Sequence, residues 1–178
     1  MISVAVIGGG ASGMAFAVAL KQKRPDIEVT VFEKNPKVLK KILVTGNGRC
    51  NILNFDAVAE NYFEACEFVR PAVEKYAPKK TEAIFRDMGL LLMSEQEGRA
   101  YPISQTAASV VCVLSSAAER AGVKVFTDTP VKSIKKSQGR FVINNDKSFD
   151  FAVIACGGAA APKQGTDGSS CLLYTSPS

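Results

Sequence analysis

Apolar positions along this chain fall into short unbroken runs separated by stretches of helical spacing, an alternation that predicts an α/β fold. Ile2, Val4, Val6 and Ile7 form a β-branched run with no polar face, as in a parallel strand covered on both sides. Residues 14–21, rich in Ala and Leu, follow as a helix, and residues 29–32 give a second apolar strand. Residues 34–54 show no sustained periodicity and read as a long loop. Between residues 56 and 88, Phe63, Cys66, Phe68, Val69, Val73 and Tyr76 recur near a 3.6-residue spacing. That spacing predicts helix with these side chains in the core, divided into two or three pieces by Pro71 and Pro78. Residues 90–93 and 99–102 then predict two short strands around a polar turn.

The next predicted helix covers residues 104–121. Ser104 is its expected N-cap, Ala107, Val110, Val111, Leu114 and Ala118 form one stripe, and Gly122 stops it. Residues 123–126 predict a third, buried parallel strand. Segments 130–135, 140–144 and 147–149 alternate around polar turns and predict an antiparallel meander. Residues 151–158 return the chain to the sheet as a parallel strand ending in Gly157-Gly158. The expected architecture is a Rossmann-like parallel sheet with an antiparallel β-meander and a helical insertion over about 56–88.

The junction of first strand and first helix carries the chemistry. Gly8-Gly9-Gly10-Ala11-Ser12-Gly13 satisfies G-x-G-x-x-G, follows a strand, opens a helix, and is answered by Glu33 at the end of the next strand. Gly8 permits the tight turn, Gly10 lets backbone approach a pyrophosphate, and Gly13 lets helix and strand pack closely. The helix start offers unpaired N–H groups to the phosphates. Glu33 can accept from both hydroxyls of a ribose and would repel a 2′-phosphate. The motif therefore predicts an adenine dinucleotide, with NADP disfavoured in this first site, without saying which one.

The long loop contains Thr45-Gly46-Asn47-Gly48-Arg49-Cys50-Asn51, whose glycines allow close backbone approach. Lys40, Lys41 and Arg49 are expected to close over the same ligand, Arg49 most strongly because its fork can hold a phosphate or a flavin carbonyl in two bonds. Gly157 and Gly158 again bring backbone to the carboxyl edge of the sheet.

Composition narrows the chemistry. The chain has 178 residues, 47% of them hydrophobic, enough for a substantial core. Histidine is absent, which removes Ser-His-Asp and Cys-His catalysis and most zinc sites, so no metal is expected. The five cysteines show no C-x-x-C pair and read as reduced thiols. Cys50 could form a flavin adduct, but packing is its simpler role. There is no apolar run of the ~18 residues that a membrane span requires, and Met1 leads directly into a strand. A cytoplasmic location without membrane contact is expected. The net charge of +5 is scattered, with Lys79-Lys80 and Lys135-Lys136 as solvated faces, so nucleic-acid contact is not expected.

Several motifs occur in one order: Gly8 to Gly13, Glu33, the loop from Thr45 to Asn51, Gly98-Arg99-Ala100-Tyr101-Pro102-Ile103-Ser104, Val153 to Gly158, and Gly165-Thr166-Asp167-Gly168. Together they resemble bacterial FAD-dependent oxidoreductases of the "aminoacetone oxidase family FAD-binding enzyme" or NAD(P)/FAD-dependent oxidoreductase type, bile-acid-type reductases among them. The resemblance implies FAD as cofactor, a small-molecule substrate, and NAD(P)H as a further hydride partner. It implies that Gly8, Gly10, Ala11, Ser12, Gly13, Glu33, Lys34, Lys41, Thr45, Gly46, Gly48, Arg49, Cys50, Asn51, Val131, Ala155, Gly157 and Gly158 line FAD. Val131 matches the place where such flavoproteins hold the adenine with backbone. Cys156 stands where the family usually has Thr, which is expected to weaken that contact. The catalytic acid or base is not identified.

The resemblance makes residues 1–169 an incomplete FAD-binding domain, inactive by itself, because the family continues with a substrate-side domain. Residues 171–178 back-translate in frame to a common transposase sequencing adapter, so residues 170–178 are read as a non-native tail. Two other readings stay open: an NAD-dependent Rossmann dehydrogenase, and a tRNA-modifying flavoprotein sharing this glycine-rich start. The meander and the Gly-Gly strand, which an NAD-only domain does not need, argue against the first.

Overall fold

A computed structural model describes residues 1–159 and residue 168; residues 165–167 of the last motif and the tail at 170–178 lie outside the described residues. In chain order the elements are β1 (Ser3–Ile7), α1 (Ala11–Lys23), β2 (Glu28–Phe32), β3 (Leu53–Asn54), α2 (Cys66–Lys75), α3 (Pro78–Asp87), β4 (Leu92–Ser94), β5 (Arg99–Pro102), α4 (Ala107–Arg120), β6 (Lys124–Phe126), β7 (Ile134–Ser137), β8 (Arg140–Ile143), β9 (Lys147–Phe149) and β10 (Phe151–Ile154). Short 3₁₀ turns lie within Lys40–Gly48, Ala59–Ala65 and Gln96–Gly98, interrupted by non-helical backbone at Thr45, Gly46 and Asn47, at Tyr62 and Phe63, and at Glu97. The chain divides into two units, one of Met1–Ile42 with Leu114–Ser178 and one of Leu43–Val113. Among the described residues no helix is long and apolar enough to cross a membrane.

The first unit is built on a parallel sheet in the order β10-β1-β2-β6. Every residue of β1 is buried, as the apolar run predicts for Val4, Val6 and Ile7, whereas Ile2 lies ahead of the strand and is exposed. Alternation along the strands sends Ala5, Ile7 and Phe32 to one face, where they meet Ile143 and Phe149 of the meander. Val4, Val6, Val29 and Val31 point the opposite way, toward the side on which Met14, Ala17 and Val18 of α1 are buried. Strands β7, β8 and β9 pair antiparallel as the meander. The β7–β8 turn places Gln138 and Gly139 at φ 50° and 78°, the left-handed pair that suits a two-residue hairpin.

The strand over residues 123–126 is parallel as expected, but it is not buried. β6 forms the sheet edge, and Val125 and Phe126 are 38% and 40% exposed. Phe126 is partly shielded by stacking on Phe32, ring centroids 5.9 Å apart, with the Lys147 ammonium 4.1 Å from its centroid. The helix predicted from Ser104 begins at Ala107 instead, because Gln105 adopts φ 57° and holds the preceding turn outside the helix. Its stripe is as expected, with Ala107, Val110, Leu114 and Ala118 buried. Gly122 ends it at φ 72°, its N–H donating to Glu119 O and that of Val123 to Ala118 O, a Schellman closure.

A clasp joins the start of β1 to the start of β10. Asp150 Oδ2 accepts from the N–H and hydroxyl of Ser3, both at 2.8 Å, while Arg140 Nη1 donates to Asp150 Oδ1 at 2.6 Å. The Ser3 hydroxyl and backbone N–H, aided by the Arg140 guanidinium, hold the Asp150 carboxyl below its ordinary 3.8. A carboxylate depressed in the folded state contributes stability above its unfolded pKa and loses it as pH falls through the folded value. Melting the protein and Asp150→Asn from neutral pH down through the carboxylate range is therefore expected to show a gap that closes on acidification. A gap independent of pH would contradict this.

The second unit has a three-stranded antiparallel sheet in the order β3-β5-β4, with β4 and β5 around a polar turn as predicted. Pro78 opens α3 at its first turn, but α2 runs through Pro71, which removes one backbone donor from an otherwise continuous helix. The aromatics assigned to the core are not there. Phe63 and Phe68 are each 88% exposed, Tyr76 is 52% exposed, and α2 buries no residue. Helical spacing specified the helix, yet a stripe is buried only where another layer covers it. The core of this unit gathers instead around Cys50, Met88, Leu90, Ala100 and Tyr101.

Candidate functional site

In the first unit the glycine motif forms the turn from β1 into α1. Gly8 sits at φ 110°, and a Cβ there would lie 2.7 Å from Ala155 O, so both the backbone angle and the approach of β10 require glycine. A Cβ on Gly13, in the first turn of α1, would overlap the Gly8 carbonyl oxygen and press on the Ala155 side chain. Gly10 differs: nothing lies within 4 Å of its Cβ position, so this side of the turn is open. The first intrahelical bond, Met14 N–H to Gly10 O at 3.0 Å, leaves the N–H groups of Ala11, Ser12 and Gly13 without acceptors inside the helix. No acidic side chain lies in that first turn, and Ala11 and Ser12 are exposed. These donors and the positive helix end suit an anion.

Glu33 ends β2 and is buried, 8% exposed. Its Oε2 accepts from Gly9 N–H at 2.8 Å, which ties the carboxylate to the glycine turn. Its Oε1 accepts from Asn35 N–H at 2.8 Å and from Asn35 Nδ2 at 2.6 Å. The structure thus brings Gly8, Gly13 and Ala155 together, and Glu33 against Gly9. Lys34 and Lys41 are exposed.

Past β10, Ala155 N–H donates to Ile7 O at 2.8 Å and continues the parallel ladder. Cys156 Sγ donates to Ile7 O at 3.3 Å, so the thiol makes a bond of the kind a threonine hydroxyl would make there. Gly157 has φ 72°, Gly158 has open space at its Cβ position, and Gly168 N–H returns to Gly158 O at 3.1 Å. Val131 precedes β7 and packs on the Ala5, Ile7, Phe32, Ile143 and Phe149 cluster. Its segment is fixed by Asn144, whose Oδ1 accepts from Lys132 N–H at 2.8 Å and whose Nδ2 donates to Pro130 O at 3.0 Å.

Thr45, Gly46, Gly48, Arg49, Cys50 and Asn51 belong to the second unit. Gly46 and Asn47 both take left-handed backbone (φ 54°, ψ 40°), and the bend closes by Arg49 N–H to Gly46 O and Cys50 N–H to Thr45 O, each at 3.0 Å. A Cβ on Gly46 would lie 2.7 Å from Asn51 N. Arg49 is engaged within its own unit. Nη1 donates to Glu95 Oε1 and Oε2 at 2.9 and 3.1 Å and to Gln105 Oε1 at 2.9 Å, and the guanidinium lies 4.0 Å over the Tyr101 ring. Any ligand bond from Arg49 would have to come from Nε or Nη2. Cys50 is buried at φ 63°, a packing position.

Sequence reasoning missed Asn35, Asn144, Glu95 and Gln105. For Asn35 a signal existed, a short amide two residues beyond the acidic strand end, where Asx turns form. The other three act across long sequence separations and gave none.

The family described as HI0933-like protein Rossmann domain matches residues 2–176. The chain is 38% identical over 180 residues to the 3-dehydro-bile acid delta(4,6)-reductase of Clostridium scindens, covering 99% of this chain and 44% of that protein. It is 26% identical over 168 residues to the ribosomal RNA dihydrouridine synthase of Haemophilus influenzae, covering 90% of this chain and 41% of that protein. The chain thus spans less than half the length of these relatives. Among solved structures, THI4 of Thermovibrio ammonificans superposes with TM-score 0.61 at 17% identity, over 99% of this chain and 64% of that one. Glycine oxidase of Bacillus cereus gives TM-score 0.53 at 14% identity, over 92% and 57%. At these identities the two superpositions establish the fold alone.

Proposed function

The chain belongs to the HI0933-like family of Rossmann-domain proteins, and from that premise we propose that it is the FAD-binding portion of a flavin-dependent oxidoreductase. Its substrate is a small organic molecule, with NAD(P)H as a further partner in hydride transfer. The observation that carries this reading is the glycine turn open at Gly10 and tied through Gly9 to a buried Glu33. Its donors and acceptors fit the diphosphate and ribose of a dinucleotide. The N–H groups opening α1 would orient the diphosphate, worth about 0.3–1 kcal/mol and up to ~2 kcal/mol when partly buried. Glu33 would accept from the ribose and repel a 2′-phosphate. Gly158 would bring backbone to the far side of the same crevice, and Val131 would meet the adenine. Lys34 and Lys41, in the same unit, would add cations to that surface. FAD, when bound, supplies the hydride chemistry.

The relative named as a bile acid reductase supports a reductive activity on a small molecule. Four reduced cysteines among the described residues fit a reducing compartment, and we place the protein in the cytoplasm. The test is direct. The full-length protein that contains this chain, titrated with FAD, is expected to quench flavin fluorescence and to acquire visible flavin absorbance on concentration. A full-length protein that stays colourless and leaves added FAD free overturns the proposal.

A second reading is favoured by the Haemophilus influenzae relative, named for its action on ribosomal RNA. Under it the net charge of +5 would serve an RNA surface. An electrophoretic shift of RNA that vanishes as salt rises would support this reading; the first reading predicts no shift.

A further inference from the structure

We infer that the adenosine ribose is read by Glu33 and Asn35 jointly, with the Asn35 amide oxygen taking a hydroxyl that Glu33 has no room for. The inference rests on the FAD reading above and adds a specificity-determining residue to that site. It follows from counting lone pairs. Each carboxylate oxygen offers two acceptor positions. Both on Glu33 Oε1 are taken by Asn35, from its backbone N–H at 2.8 Å and its Nδ2 at 2.6 Å. One on Oε2 is taken by Gly9 N–H at 2.8 Å. A ribose diol brings two O–H donors, and Glu33 retains one acceptor position.

Asn35 can supply the second. Its amide orientation is set by charge, since an Oδ1 turned toward Oε1 would face a carboxylate with no proton between them. Nδ2 therefore faces Glu33, and Oδ1 points away on the same planar group. The Asn35 backbone is pinned on both sides, its N–H donating to Glu33 Oε1 and its backbone carbonyl accepting from Asp128 N–H at 3.1 Å, which fixes where the side chain starts. Asn35 is only half-buried, so its amide can reach a ligand lying on Glu33. The pair makes a short strip of acceptors, anionic at one end and neutral at the other, matched to two adjacent hydroxyls.

The test is a coupling measurement between residue and cofactor. FAD and its 2′-deoxy- and 3′-deoxyadenosine analogues are titrated against the full-length protein that contains this chain and against its Asn35→Ala and Asn35→Ser variants. Asn35→Ala is expected to weaken FAD about tenfold, but to weaken one of the two deoxy analogues by less than about twofold, because the hydroxyl that Asn35 reads is already missing there. Asn35→Ser keeps a donor for Glu33 and an acceptor for the ribose, and is expected to regain most of the FAD affinity. It also guards against Asn35→Ala failing to fold. Equal losses for all three cofactors would mean that Asn35 acts only by shaping the loop, and would overturn the inference while leaving the FAD reading intact. A wild-type full-length protein that binds none of the three overturns both.

Discussion

Gly13→Ala is expected to destabilise the chain by about 1–2 kcal/mol and to abolish FAD binding, whereas Gly10→Ser is expected to keep full stability and lose binding alone. The two glycines lie three residues apart and face different surroundings. A Cβ on Gly13 runs into the Gly8 carbonyl, which is backbone and cannot rotate aside. Overpacking of this kind costs about 1–3 kcal/mol, and the better helix propensity of alanine offsets at most ~1 kcal/mol of it. Relief would require α1 to move off β1, and the anion-facing N–H groups would move with it. A Cβ on Gly10 meets nothing within 4 Å, and its backbone, at φ −77° and ψ −173°, suits an N-cap serine. The serine side chain would instead occupy the space through which a diphosphate approaches. Denaturant midpoints read beside FAD titrations separate the two effects. A Gly10→Ser protein that binds FAD normally would remove the ligand from that side of the turn.

Glu33→Ala is expected to cost about 2–3 kcal/mol of stability and roughly a hundredfold or more in FAD affinity. The carboxylate is the acceptor for three donors, Gly9 N–H, Asn35 N–H and Asn35 Nδ2. Truncation leaves the buried Gly9 donor unpaired, which costs about 1–3 kcal/mol, while the half-buried Asn35 groups recover water. Glu33→Gln keeps the shape but turns an NH₂ toward one set of donors, so an intermediate loss is expected. Urea denaturation compared with cofactor titration across the three proteins tests this, and unchanged stability in Glu33→Ala would contradict the bonding described.

Where a residue's environment is local, the sequence announced it. The run from Val4 to Ile7, the turn at Gln138 and Gly139, and the stop at Gly122 each depend on neighbours within a few positions, and each stands as expected. Glu33 also stood out, because strand, glycine turn and acidic strand end form one repeating unit of sequence. Phe63 and Phe68 did not. Their spacing encodes a helix, but whether a helix face is covered depends on what the rest of the fold brings to it, and periodicity carries no information about that. Edge position misled in the same way: residues 123–126 read as a buried strand until the order β10-β1-β2-β6 placed them outermost. Arg49 shows a third limit. Its reach toward a phosphate could be imagined from the loop alone, but Glu95 and Gln105, 46 and 56 residues further on, share its Nη1.

The placement of β10 has a consequence for biosynthesis. β1 leaves the ribosome well before the strand on one of its flanks, which pairs through Val4 with Phe151 and Ile7 with Ile154 and is made almost 150 residues later. At about 5–20 residues per second, an apolar ribbon with an open edge waits several seconds or longer for its neighbour. During that interval any other extended chain is a competitor for the edge. Nascent-chain yield, rather than the equilibrium strength of the finished sheet, is where substitutions in β10 should first be felt.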